Sequence, residues 1–138
     1  MEMNDCLFCK IIAGKIPADK VYEDKDVLAF LDISPVNPGH TLVLPKEHFE
    51  TYLDTPDELL ADLSVKVKKI ALGVKEATNA EGININVNAH KAAGQVIPHL
   101  HIHILPRYLS DGFKHWAGGK ISEEKSKVLA EKIKKEIK

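Results

Sequence analysis

The chain has almost no net charge, with 19 Lys+Arg set against 20 Asp+Glu. Without a basic surplus it carries no electrostatic footprint for nucleic acid or for an anionic membrane surface, and a small substrate fits better. No apolar stretch approaches the roughly 20 residues of a membrane span. The polar, acidic opening Met1-Glu2-Met3-Asn4-Asp5 leads into no signal-type apolar run, so the expected location is the cytoplasm. Cysteine is scarce as well. The only two, Cys6 and Cys9, lie so close that in a reduced compartment they read as metal or redox chemistry before a structural disulfide. Repeats and low-complexity tracts are absent, and Gly and Pro are scattered at turns instead of gathered in a linker. At 138 residues the chain suffices for one proper core but not two, which predicts a single domain, 1–138.

What is present begins with local patterning. The segment Leu7 to Ala13 predicts a short helix presenting Leu7, Phe8, Ile11 and Ile12. Lys20-Val21-Tyr22-Glu23 and Val27-Leu28-Ala29-Phe30-Leu31 predict a hairpin across Asp24-Lys25-Asp26, and Thr41-Leu42-Val43-Leu44 suits a central strand. Thr55-Pro56-Asp57-Glu58 combines an N-cap hydroxyl, a proline at the first helical position and a glutamate placed to close a capping box. The helix it opens should run to about Thr78, with Leu59, Leu63, Val67, Ile70 and Val74 as its core stripe. Ile83, Ile85 and Val87 alternate with Asn84, Asn86 and Asn88, as in a strand with one apolar and one polar side. Ser122 to Lys138 predicts a C-terminal helix, acidic at its start, lysine-rich at its end, with Leu129, Ile133 and Ile137 on one face.

Three of seven histidines fall within five residues, in His99-Leu100-His101-Ile102-His103. The pattern predicts a strand starting near Pro98, with the imidazoles on one face and Leu100, Ile102 and Ile104 on the other. Ordinary polar strand faces use Thr, Lys and Glu, so the imidazoles read as working groups. Two chemistries suit them. Two could ligate one metal ion, but at about 3.3 Å rise per residue the outer Cα atoms lie roughly 13 Å apart, so all three reach one ion only by leaning hard inward. Alternatively one neutral imidazole, near its ordinary pKa of about 6.5, attacks phosphorus to form a covalent intermediate while its neighbours hold and charge the site.

Preceded by Gly94-Gln95 and an asparagine-bearing strand, this run resembles the signature of the histidine-triad family. Phe30-Leu31-Asp32-Ile33-Ser34-Pro35 and Pro38-Gly39-His40-Thr41-Leu42-Val43-Leu44-Pro45-Lys46 resemble the family's other two blocks. The resemblance covers about residues 6–108 and leaves 109–138 as an extension. It implies an α+β fold: a mostly antiparallel sheet of about five strands, one long helix and a C-terminal helix, dimerising into a continuous sheet. It also implies attack by His101 on the α-phosphorus of a nucleotide conjugate, with His103 at the α-phosphate as an imidazolium and His40 orienting a catalytic imidazole from behind. Gln95 is then expected near the scissile bond, Asn88 near the phosphate, and Gly94 where backbone and substrate come close. Asp32 matches the position that binds ribose hydroxyls, and Ile33, Phe30, Phe8, Leu7 and Ile11 would line the base slot. Pro106-Arg107-Tyr108 resembles bacterial and archaeal members more than the eukaryotic phosphoramidase branch, and Val96 stands where that branch has a serine.

A microbial subset of the family resembles the chain further. There the N-terminal cysteine pair joins a histidine, here His48, and the first triad histidine, here His99, so the resemblance implies a structural Zn²⁺ on Cys6, Cys9, His48 and His99. His99 could not then also donate protons freely. The resemblance further implies a homodimer in which the tail, through His115-Trp116, approaches the partner's site. Three functions stay open. The leading one is hydrolysis of purine nucleotide conjugates, most simply nucleoside phosphoramidates, with dinucleoside polyphosphates as the nearest variant. The others are a slow-turnover nucleotide-binding regulator and a metallohydrolase that uses the triad as ligands.

Overall fold

The computed structural model describes residues 5–138, and the first four residues of the acidic opening lie outside the described residues. Strand β1 (Lys20–Glu23) and strand β2 (Val27–Leu31) form the expected hairpin. Asp24 closes its turn, with Oδ1 accepting the N–H groups of Asp26 and Val27 at 2.8 Å each. Strand β3 (Thr41–Pro45) pairs with β2, and β5 (Ile102–Arg107) lies between β3 and β4 (Gly82–Val87). The result is one antiparallel sheet in the order β1-β2-β3-β5-β4.

The central strands are buried on both faces, which is why β2 and β3 read as continuous apolar runs. Helix α2 (Asp57–Thr78) sets Leu63, Val67, Ile70 and Ala71 against Val27, Ala29, Val43, Leu100, Ile102 and Ile104. On the other face, helix α1 (Leu7–Ile12) lays Phe8 and Ile11 over Leu28, Phe30, Leu42 and Leu44. His103 pairs with Leu42 and therefore stands on the α1 face, beside the end of that helix's apolar cover.

Three expectations are corrected. Thr55 does not cap α2: Pro56 holds the N-cap position with no side-chain bond, and the Thr55 hydroxyl donates to the Thr51 carbonyl at 2.7 Å. The capping box is instead Thr51 with Asp54, around a short 3₁₀ turn at Tyr52–Asp54. The triad strand starts four residues later than Pro98. His99 and His101 precede β5 in irregular chain, and only His103 lies on the strand. The reason is that β4 and β3 both stop pairing at Ile102, while the Leu100 N–H is drawn to the Phe49 carbonyl at 2.7 Å. Finally, the apolar side of β4 is only partly covered, because β4 is the sheet's edge: Ile85 and Val87 are 54% and 38% exposed.

The C-terminal helix α3 (Glu123–Glu136) starts where the pattern placed it, with Ser122 Oγ accepting the Lys125 N–H at 3.2 Å. Its stripe Leu129, Ile133 and Ile137 stays exposed. The chain is tied down just before it, where Asp111 accepts from Arg107, Asn37 and the Tyr108 N–H. No helix among the described residues is long and apolar enough to cross a membrane.

The turn before β3 needs glycine. Gly39 has φ +99°, and a Cβ there would lie 2.6 Å from Thr78 Cγ2. Gly39→Ala is expected to lower stability by about 1–3 kcal/mol, read from denaturant unfolding, because strain and overlap add.

Candidate active site and metal centre

His40, His101 and His103 gather on the α1 face. The His101 and His103 ring centres are 4.9 Å apart, those of His40 and His103 5.2 Å, and Phe8 stands edge-on to His101 at 4.9 Å. Burial holds all three imidazoles below the usual histidine pKa, His103 to about 4 with His101 and His40 adding to the effect. At neutral pH they are neutral bases. The imidazolium expected at His103 is therefore not met in the free protein. Likewise the 3.6 Å between His40 Nε2 and Asp32 Oδ2 is no ion pair.

Backbone groups fix which ring nitrogen carries each proton. The His99 carbonyl accepts from His101 Nδ1 at 2.7 Å, so the Nε2 of neutral His101 keeps its lone pair. The Val36 N–H donates to His40 Nδ1 at 3.1 Å, so neutral His40 carries its proton on Nε2 and donates it to His103 Nδ1 at 2.9 Å. His103 is left with a proton on Nε2. The site thus sets one nucleophilic lone pair beside one neutral N–H donor, each held by a chain of hydrogen bonds that ends on backbone.

The remaining imidazole, His99, is fully buried and turned to a second cluster. Its Nε2–H donates to the Pro45 carbonyl at 2.8 Å, which leaves Nδ1 unprotonated. That nitrogen lies 3.4 Å from Cys6 Sγ, 3.6 Å from Cys9 Sγ and 3.1 Å from His48 Nδ1, and His48 Nδ1 lies 3.3 Å from Cys9 Sγ. Ligands at about 2.1 Å (N) and 2.3 Å (S) around a tetrahedral ion are themselves separated by roughly 3.3–3.7 Å. The donor set therefore fits a zinc-type ion. Burial and the neighbouring Cys6 push the Cys9 thiol up to about 11 without a metal, and the buried His48 Nε2 has no hydrogen-bond partner among the described residues. All four sequence-predicted ligands meet here.

Asp32, His40 and His103 also lie close enough to share an ion, but their donors are committed otherwise. His40 Nε2 carries a proton and His103 Nδ1 receives it, while Asp32 Oδ1 accepts the Ser34 N–H at 2.8 Å. The triad itself is thus poorly suited to hold a metal. Among the described residues Asp32 Oδ2 has no hydrogen-bond partner, its approach to His40 Nε2 being 3.6 Å.

The apolar positions divide. Phe8, Phe30 and Ile11 are core residues at 4%, 4% and 6% exposure, whereas Leu7 is 39% and Ile33 96% exposed, beside Asp32. Gly94 has φ +95° and approaches the Asn88 amide. Gln95 accepts the His90 N–H at 2.9 Å and donates to the carbonyls of Glu50 at 2.6 Å and Ile97 at 3.1 Å, so it clamps two loops together. Trp116 is 97% exposed and, with His115, borders a groove over Asn84, Asn86 and Asn88. The backbone partners Val36 N–H, Pro45 C=O and His99 C=O escaped the sequence reading, because every residue type offers them.

The chain belongs to the HIT-domain family, whose domain matches residues 13–109. A HIT-family crystal structure from Bacillus subtilis superposes with a TM-score of 0.90 at 43% identity, covering 97% of this chain and 98% of that one, so the fold likeness extends into the tail. A Zn-bound histidine-triad family protein from Mycobacterium smegmatis is similar at 36% identity and a TM-score of 0.77, covering 98% of this chain and 100% of that one. The adenylylsulfatase HINT3 of Arabidopsis thaliana is 47% identical over 104 residues, 75% of this chain and 53% of that protein. The family thus includes hydrolases.

Proposed function

We propose that the chain hydrolyses purine nucleotide conjugates at the α-phosphorus through a covalent nucleotidyl-histidine on His101. The observation that carries this reading is the 2.7 Å bond from His101 Nδ1 to the His99 carbonyl, which leaves a neutral, buried Nε2 lone pair as nucleophile. In the first step His101 Nε2 bonds to phosphorus, and the bond to the leaving group breaks with its electron pair on that group. In the second, a water oxygen bonds to phosphorus and loses its proton to solvent, while the N–P bond breaks with its electron pair on Nε2, which releases the nucleoside monophosphate and returns His101 to its neutral form. Splitting one displacement into two lowers each barrier. The His103 Nε2–H donates to a non-bridging oxygen as charge builds there. His40 positions His103, Asp32 Oδ2 accepts from the ribose, and exposed Ile33 and Leu7 close over the base, with Phe8, Phe30 and Ile11 as the core beneath them. Asn88 and Gly94 border the phosphate, where backbone can come close.

Cys6, Cys9, His48 and His99 would hold the zinc ion, which supplies a cross-link between α1, the 46–54 loop and the triad. The ion makes His99 a positioning residue, since both of its ring nitrogens are committed and its carbonyl holds His101. The unpaired edge of β4, with Ile85 and Val87 exposed, supports a homodimer across a continuous sheet. Light scattering of the intact protein should then give twice the chain mass.

The test is intact-protein mass spectrometry after rapid, acid-free quenching with a nucleotide conjugate. A transient adduct of one nucleoside monophosphate, mapped to His101, is expected. Tight nucleotide binding with no adduct, and turnover far below about 1 s⁻¹ on every conjugate, would instead mark a regulatory binder.

A further inference from the structure

The mechanism makes no use of Asp111, whose side chain is only 5% exposed at the start of the tail. Its carboxylate accepts from Arg107 Nε at 2.8 Å and Nη2 at 3.2 Å, from the N–H groups of Tyr108 and Phe113 at 3.0 Å each, and from Asn37 Nδ2 at 3.1 Å. Arg107 passes the tie on to β4 through Asn84 Oδ1 at 2.7 Å. Most of these partners belong to β4, β5 and the tail. The exception is Asn37, in the loop between β2 and β3, which also donates to the Pro106 carbonyl of β5 at 2.9 Å. A carbonyl and a carboxylate are both acceptors, so the nitrogen end of the Asn37 amide must face them. Arg107 and the N–H groups around Asp111 hold its carboxyl well below the usual carboxylate range, so this anchor keeps its charge near neutral pH.

The loop that Asn37 fastens carries Asp32 and ends on His40. Its neck is closed by the Asp32 N–H on the His40 carbonyl at 2.9 Å. Asn37-Pro38-Gly39-His40 is a tight turn, with the His40 N–H on the Asn37 carbonyl at 3.0 Å, proline second and a left-handed glycine third. Immediately before this turn the Val36 N–H folds back onto His40 Nδ1 at 3.1 Å. Pro35 and Pro38 have no N–H with which to replace it.

That one backbone bond selects the direction of the His40–His103 pair. While Val36 donates to Nδ1, His40 keeps its proton on Nε2 and gives it to His103 Nδ1 at 2.9 Å. Without Val36 the same pair can run the other way, with His103 Nδ1–H donating to His40 Nε2. His103 would then turn a lone pair toward the phosphate instead of a proton. Resting on the reading that His103 Nε2–H donates to a non-bridging oxygen, we propose that Asn37 is a positioning residue. Its amide, held by Pro106 and Asp111, keeps the Val36 N–H on His40 and so keeps the His103 proton on the nitrogen that faces the substrate.

Imidazole ¹⁵N shifts of the free, full-length protein report which nitrogen of each ring carries the proton. Wild type should show His40 and His103 protonated on Nε2 and His101 on Nδ1. Two variants remove the Asn37 donor. Asn37→Ala deletes it, and Asn37→Asp keeps its shape but sets a carboxylate against the Pro106 carbonyl and the ionised Asp111. In both, the His40 and His103 shifts should move together toward the reversed pair while those of His101 stay, and Asn37→Asp should move them further. Asn84→Ala is the control, since it cuts a 2.7 Å bond of the same network without touching the loop. Its shifts should match wild type. With adenosine 5′-phosphoromorpholidate, kcat should fall about threefold to tenfold in the two Asn37 variants, the worth of roughly one hydrogen bond. KM should hardly change, because Asp32 is held by its own bond from the Ser34 N–H and by the neck of the loop.

A tie that only stabilises the fold would lower Tm in all three variants and leave every tautomer as in wild type. Unchanged His40 and His103 shifts in both Asn37 variants overturn the proposal, as does an Asn84→Ala protein that moves them equally far. The shifts are read without substrate, so failure of the reading beneath shows separately. A pair that reverses with no fall in kcat leaves Asn37 in control of the proton and overturns the donor role of His103. Absence of an adduct on His101 overturns the covalent step alone, and the reversal on Asn37→Ala is still required.

Discussion

His101→Gly is expected to lower kcat/KM by about 10⁴-fold or more, which at about 1.4 kcal/mol per decade is roughly 5.5 kcal/mol of transition-state stabilisation. The size follows from the role: without the Nε2 lone pair there is no first step, and what persists is binding and the His103 donor. Nucleotide affinity should change far less, since Asp32, Ile33 and the phosphate contacts remain. A buried ring is being deleted, so some stability will be lost, and His101→Gln controls for volume. Free imidazole distinguishes nucleophile from scaffold. Added to His101→Gly it should enter the vacated space, attack phosphorus and restore part of the rate, whereas it cannot rescue His101→Gln. His103→Ala should cost about 10²–10³-fold in kcat while still forming the adduct, in keeping with the loss of one hydrogen-bond donor. Turnover in His101→Gly within tenfold of wild type would sink the covalent reading.

The scaffold was legible in the sequence wherever one residue periodicity dominates. Val27–Leu31 and Thr41–Pro45 are continuous apolar runs because α1 and α2 cover both sides of them, and the Leu63, Val67, Ile70 stripe of α2 faces β2, β3 and β5 as its spacing says. The start of α2 misled because Thr51 and Thr55 both precede acidic residues suited to capping, and only the chain's path selects Thr51 with Asp54.

The histidine run misled more instructively. Strict alternation from His99 to His103 is a strand pattern, and His103 obeys it. His99 is turned off the sheet toward Cys6, Cys9 and His48, side chains up to 93 residues away that no local rule can weigh. The consequence is functional. Because the chain at 99–101 is irregular, the His99 carbonyl can turn toward its own neighbour's ring instead of pairing across a sheet. Side-chain chemistry identified the residues of the site, whereas the tautomers depend on backbone groups that residue type does not announce.

That carbonyl also links the metal centre to the nucleophile and sets the second large expectation. The purified protein should carry one zinc per chain, and Cys9→Ala with His48→Ala should carry none. Losing the ion removes a tie among α1, the 46–54 loop and His99, for an expected stability loss of about 3 kcal/mol or more, roughly 10 °C in Tm for a chain of this size. The rate should suffer separately. With the His99 ring held only by the Pro45 carbonyl, and its backbone only by the bonds of the His99 and Leu100 N–H groups to Ile97 and Phe49, its carbonyl should fix the Nδ1 proton of His101 less firmly, and kcat should fall about 10–100-fold, the usual cost of loosening an outer-shell partner. KM should move less, because the ribose and base contacts lie elsewhere. A purely structural metal would lower Tm and leave kcat intact below the melting range, and equal Tm with and without chelator would remove the metal centre altogether. The split between kcat and Tm therefore decides whether the cluster merely fastens α1 to the sheet or also aims the nucleophile.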